Sequence, residues 1–148
     1  MPDVIDELSL EDGKLNRETI IHRVEDWKSR LSTLYDQICD WLPSSFSGER
    51  SGTIKMHEDL MKEYGVPATD VPVLNILHHG AWIAKLVPRA LWIIGANGRL
   101  DLFIQDGHWI LVDRAENFAP PRWEVAPADH RRKLQPFTHQ FLTSVLGT

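Results

Sequence analysis

An α+β fold is predicted by three observations: an unbroken heptad stripe near the N-terminus, a central run of strong β-formers broken by glycine turns, and a capped apolar segment at the end. They read as a long N-terminal helix packed on an antiparallel β-meander of about five to six strands, open or curled like a barrel, with a short C-terminal helix.

The helix is predicted over 16–42. Apolar residues fall at Ile20, Val24, Trp27, Leu31, Leu34, Ile38 and Trp41, at spacings of 4, 3, 4, 3, 4 and 3. Asn16 suits the N-cap and Pro43 stops the helix. The other face carries Glu25, Asp26, Lys28, Arg30, Asp36 and Asp40 and is expected to be solvated. The stripe has two uses. It can cover the chain's own sheet, or it can pair with a second copy or a partner helix, which makes its seven residues a candidate interface. The preceding residues, 1–15, are acidic and contain Gly13, and are expected to be a flexible tail. Residues 16–148 form the single domain.

Residues 43–53 are rich in Ser and Gly and read as a linker. Residues 54–64 fit a strand through Ile54 and Met56 or a helix through Met56, Leu60 and Tyr64; the strand is preferred because a sheet follows, over about 54–126. Strands at 73–78 and 81–87 flank His79-Gly80, and strands at 91–96 and 99–105 flank Asn97-Gly98. Asp106-Gly107 leads into 108–113. Asn-Gly and Asp-Gly favour tight hairpins because both central residues of a type I′ turn need positive φ. A further strand is expected near 123–126. Thr138 is placed to cap a last helix over 138–146 that buries Phe141, Leu142 and Val145.

With Asp106-Gly107 as a two-residue turn, Phe103 faces Ile110, Asp101 faces Val112 and Arg99 faces Arg114. Leu100, Leu102, Ile104, Trp109 and Leu111 then share one side, and Phe103, Ile110 and Val112 the other. Both sides are apolar at their centre, which calls for a cover on each, closure, or an interface. Asp101 and His108 share a side but stand about 13 Å apart in this register, too far for a dyad. Arg99 and Arg114 would be like charges face to face. With Asp101 beside them they are a candidate anion or ligand site, unless Asp101 or Glu116 simply bridges them.

Net charge is −5 over 148 residues. Residues 1–74 hold fifteen Asp/Glu against eight Lys/Arg, and residues 75–148 hold six against eight, so positive charge gathers in the C-terminal half. There Arg122, Arg131, Arg132 and Lys133 are the candidate nucleic-acid contacts. One cysteine, Cys39, permits no intrachain disulfide and no thiolate metal cluster. No apolar run is long enough to span a bilayer and no secretory leader is recognised, so a cytoplasmic location is expected. His57-Glu58 lacks the second histidine of a zinc-hydrolase helix, and His78-His79 point to opposite sides of a strand, so no metal and no cofactor is expected. No GxSxG or GxxxxGK[ST] motif is present and no catalytic residue stands out. The six tryptophans suit core packing. These features favour a non-enzymatic protein-interaction or accessory module that self-associates. Nucleic-acid or nucleotide binding and a small hydrolase are the alternatives.

Overall fold

The computed structural model describes residues 16–91, 96–116 and 118–147. The expected tail over 1–15 and the strand expected through Trp92, Ile93 and Ile94 lie outside the described residues.

Helix α1 is Arg17–Trp41. The Asn16 side chain accepts from the Thr19 amide at 3.0 Å and the Thr19 hydroxyl accepts from the Asn16 amide at 3.1 Å, so two otherwise orphaned donors are met at the first turn. Strand β1 (Phe46–Glu49) follows, then the pair β2 (Thr53–Met56) and β3 (Thr69–Pro72), with the short helix α2 (Asp59–Glu63) between them. Next come β4 (Leu74–His78), β5 (Ala81–Ala90), β6 (Arg99–Ile104), β7 (Gly107–Asp113), β8 (Trp123–Pro127) and β9 (Gln135–Pro136), and the chain closes with α3 (His139–Leu146). The large sheet is antiparallel, of order β1-β4-β5-β6-β7-β8-β9. It stays open, so the barrel-like alternative is corrected: its edges are β1, four residues long, and β9, two residues long, and they do not meet.

The linker reading of 43–53 misses β1, whose Phe46-Ser-Gly-Glu sequence has little β-propensity and is held by pairing with β4. Residues 54–64 are divided between the two readings, with β2 first and α2 after it. His79 and Gly80 both have positive φ (51° and 81°), which makes the β4–β5 turn the tight hairpin expected. The last helix forms where predicted, with Thr138 Oγ1 accepting from the Phe141 amide at 3.1 Å, but of the three residues expected to be buried only Leu142 is; Phe141 and Val145 are half-buried.

The Asn97-Gly98 hairpin is a correction. Strand β5 runs on to Ala90 and pairs with β6 as Leu86↔Leu102 and Pro88↔Leu100, with a register shift at Pro88/Ala90. Asn97 and Gly98 instead line up beside the end of β7, where the Asn97 amide donates to Asp113 O and the Asp113 amide to Gly98 O. Glycine is needed here for a close approach: a Cβ at position 98 would lie 2.6 Å from Trp27 Cη2.

One hydrophobic cluster holds the fold together. From α1 it takes Ile20, Val24, Trp27, Leu31, Leu34, Tyr35 and Ile38, from α2 Leu60 and Met61, and from α3 Leu142. These pack on Leu74, Ile76, Ala84, Leu86, Leu100, Leu102, Leu111 and Val125 of the large sheet. All three described helices therefore bury side chains against the same side of the sheet.

The prediction of a solvated Arg30 is also corrected. Arg30 is 4 % exposed; its Nη1 bonds Asp113 Oδ2 at 2.5 Å, its Nε bonds Asp26 at 2.6 Å, and its Nη2 donates to the Ala119 carbonyl. Asp113, fully buried, accepts at Oδ1 from the amides of Ala115 and Arg122. Two turns earlier Arg23, also fully buried, donates to Asn97 Oδ1 at 3.3 Å, and Asn97 Nδ2 donates to Ala115 O at 2.7 Å. Arg23 and Arg30 are seven residues apart, at one heptad position flanking the apolar stripe.

Two outcomes test this packing in urea denaturation. Gly98→Ala is expected to destabilise the fold by about 1–3 kcal/mol, because the Trp27 ring must move. Asp113→Asn removes the fully buried carboxylate from Arg30 and leaves it only the partly exposed Asp26 as counter-charge, and is expected to cost about 3 kcal/mol.

Candidate functional site

The side of the sheet away from the helices carries a charged cluster around one carboxylate. Alternation places Lys85, Val87 and Arg89 of β5, Arg99, Asp101 and Phe103 of β6, His108, Ile110 and Val112 of β7, and Glu124 and Ala126 of β8 on this side. Val87, Ile110, Val112 and Ala126 are buried but lie outside the main hydrophobic cluster. They form a floor, and polar and aromatic groups stand above it.

At the centre is Asp101, whose side chain is 6 % exposed. Its Oδ2 accepts from Arg89 Nε at 2.6 Å and its Oδ1 from Arg99 Nη2 at 2.8 Å and Nε at 3.3 Å. His108 Nε2 stands 3.5 Å from Oδ1. The Phe103 ring binds the cluster together: His108 stacks on it at 4.5 Å and 21°, and the Arg89 guanidinium lies 5.7 Å from its centroid. Lys85 faces Phe103 across the β5–β6 ladder. From β5 to β8 this side holds three fixed cations, Lys85, Arg89 and Arg99, against Asp101 and Glu124, and Glu124 is itself met by Arg122 at 3.6 Å.

The register explains why sequence reasoning separated Asp101 from His108. The β6–β7 pairs are Ile104↔Gly107, Phe103↔His108, Asp101↔Ile110 and Arg99↔Val112, so the turn is Gln105-Asp106 and not Asp106-Gly107. The two-residue slide keeps every side chain on its predicted side but brings His108 one diagonal step from Asp101, within side-chain reach. It also removes the Arg99–Arg114 confrontation. Arg99 faces Val112, and Arg114 lies beyond the end of β7, exposed, with its amide donating to Arg122 O. Of the expected trio, Arg99 and Asp101 are together. The second guanidinium on Asp101 comes from Arg89, which the sequence hid because β5 was expected to end at Val87.

The other candidates fall elsewhere. Ile20, Val24, Trp27, Leu31, Leu34 and Ile38 are buried in the chain's own core, and Trp41 is partly buried against Phe137 and His139. Arg131, Arg132 and Lys133 are exposed on the turn after β8, whereas Arg122 precedes β8, so about 17 Å of strand separates the two parts of the basic cluster. Among the described residues no three His, Cys, Asp or Glu side chains gather as a metal cluster, and no helix is long and apolar enough to cross a membrane. No protein-family model, curated protein or solved structure matches the chain.

Chemically, the cluster suits charge recognition better than proton transfer. Burial by itself would raise the Asp101 pKa, but the hydrogen bonds from Arg99 and Arg89, reinforced by their charges, hold it below the usual carboxylate range. A carboxylate so stabilised in its ionised form is a poor general base. What it does well is fix two guanidiniums in place.

Because the folded-state pKa of Asp101 is depressed, its contribution to stability is present above the unfolded value of about 3.9 and is lost as pH falls through the lower folded value. Asp101→Asn is therefore expected to cost about 1–3 kcal/mol at pH 7. The gap between wild type and variant should close below about pH 4, as followed by thermal melts across an acid pH series.

Proposed function

We propose that this chain is a non-enzymatic interaction module that recognises an acidic segment of a partner protein through the cationic side of its sheet. The observation that carries this reading is the pair of guanidiniums, Arg89 and Arg99, held on the single carboxylate of Asp101. One negative charge cannot neutralise two positive ones, and Arg89 and His108 remain 48 % and 41 % exposed at their side chains. Guanidiniums with planar donor forks, pre-set by a buried anchor, bind an incoming carboxylate without first being ordered. Phe103 adds an apolar surface between the charges, as interface centres commonly have.

Self-association belongs to the same reading but needs a different surface from the heptad stripe. The stripe is occupied by the chain's own core, so a second copy would have to bring its acidic residues to the cationic side. Nucleic acid would use another surface, the exposed Arg131-Arg132-Lys133 turn.

Fluorescence anisotropy with a labelled oligoglutamate peptide and a labelled single-stranded RNA separates these readings. The peptide is expected to bind with salt-sensitive affinity, and Arg89→Ala and Lys85→Glu should each weaken it by about tenfold or more. Changing Arg131, Arg132 and Lys133 to Ala should leave peptide binding unaltered. RNA bound more tightly than peptide, and lost with those three residues, would move the function to nucleic acid. Peptide binding indifferent to Arg89 and Lys85 would remove the proposal.

A further inference from the structure

We infer that the chain has a second, separate binding site: a cleft of about 710 Å³ at the far end of the helix-covered side of the sheet, suited to a small organic cation with an apolar or aromatic body. The cleft lies over the ends of β4 and β6 and the beginnings of β5 and β7. Ile83 and Ile104 lie in its floor, and the last residues of α3, Val145 and Leu146, border it. Its volume is that of a typical small-molecule site.

Two properties of the lining define the ligand. The first is aromatic. Phe46 and His78 stack at 4.3 Å and 22° on the β1 side, and Trp109 stands on the β7 side, edge-on to Phe141 at 5.0 Å. Gly107 allows this placement, since a Cβ there would come within 3.2 Å of Trp109 Nε1. The negative faces of Phe46 and Trp109 attract a cation that also has apolar surface to bury, while His78, which also meets the His79 ring at 4.3 Å, completes the wall.

The second property is charge. The lining contains no Lys or Arg, and its one carboxylate, Asp106, forms no ion pair among the described residues. The C-terminal end of α3 also borders the cleft, and although the Gly147 amide caps the Thr143 and Ser144 carbonyls, the negative end of the helix dipole adds to the same polarity. The cleft thus has the opposite polarity to the Arg89–Arg99 cluster on the other side of the sheet. An anion suited to one is repelled from the other.

Isothermal titration calorimetry of the full chain with benzyltrimethylammonium, and with benzyl alcohol as its neutral counterpart, tests the inference. Saturable binding of the cation is expected, with benzyl alcohol weaker by about fivefold or more. Asp106→Asn, at an exposed turn where folding should be unaffected, is expected to weaken the cation by about fivefold, and Phe46→Ala by a similar factor. Arg89→Ala should leave the cation's affinity unaltered, which keeps this result independent of the acidic-partner reading. Absence of saturable binding, equal affinity for benzyl alcohol, or full affinity in Asp106→Asn would each overturn it.

Discussion

The buried Arg30–Asp113 ion pair joins α1 to the end of β7. An arginine taken out of water must have its charge and its donors met, and each partner Arg30 finds lies in a different segment: Asp26 on its own helix, Asp113 at the end of β7 and Ala119 in the loop beyond. Asp113 in turn holds the amides of Ala115 and Arg122 with its other oxygen. With Arg23 and Asn97 two turns away, the helix is tied to the end of β7 and to Ala115, Ala119 and Arg122 beyond it. Apolar contacts alone would let α1 slide or rotate over a flat sheet. Directional bonds to buried charges allow one position, because any other leaves a charge unpaired in a dry interior.

That anchoring decides which side of the sheet the described helices leave uncovered. Helix α1 takes the side bearing Leu86, Leu100, Leu102 and Leu111, and α2 and α3 join it there. The other side keeps its small apolar floor and its cluster of fixed charges. Asp101 does there what Asp113 does in the core, but with two guanidiniums on one carboxylate, so positive charge is left over at the surface. The two aspartates lie on adjacent strands and face opposite sides. One is matched by a buried guanidinium, and the other is shared by two.

Glycine plays two different roles at neighbouring Asx-Gly pairs, and local sequence does not distinguish them. At Gly98 the missing Cβ makes room for Trp27, and Asn97 is a buried cross-link. At Gly107 the residue opens β7, and the turn proper is the Gln105-Asp106 step before it. The Asx-Gly dipeptide marks a place where backbone comes close to something. Whether that is its own return strand or a tryptophan from a helix some seventy residues earlier depends on tertiary packing.

Local patterns were enough to determine the fold class, the two main helices with their caps, the His79-Gly80 hairpin, and which side of β6 and β7 each residue faces. Helical and strand periodicity are properties of the backbone, and alternation survives a register slide of two residues. Only the tertiary structure decided the register itself, and with it the meeting of Asp101 with Arg89 and His108, the burial of Arg23 and Arg30, the edge strand β1 and the aromatic cleft. These depend on distances between segments remote in sequence. A slide of two residues costs no change in hydrophobic pattern yet moves a charge by nearly 7 Å along its strand, which is the difference between an isolated histidine and a member of the site.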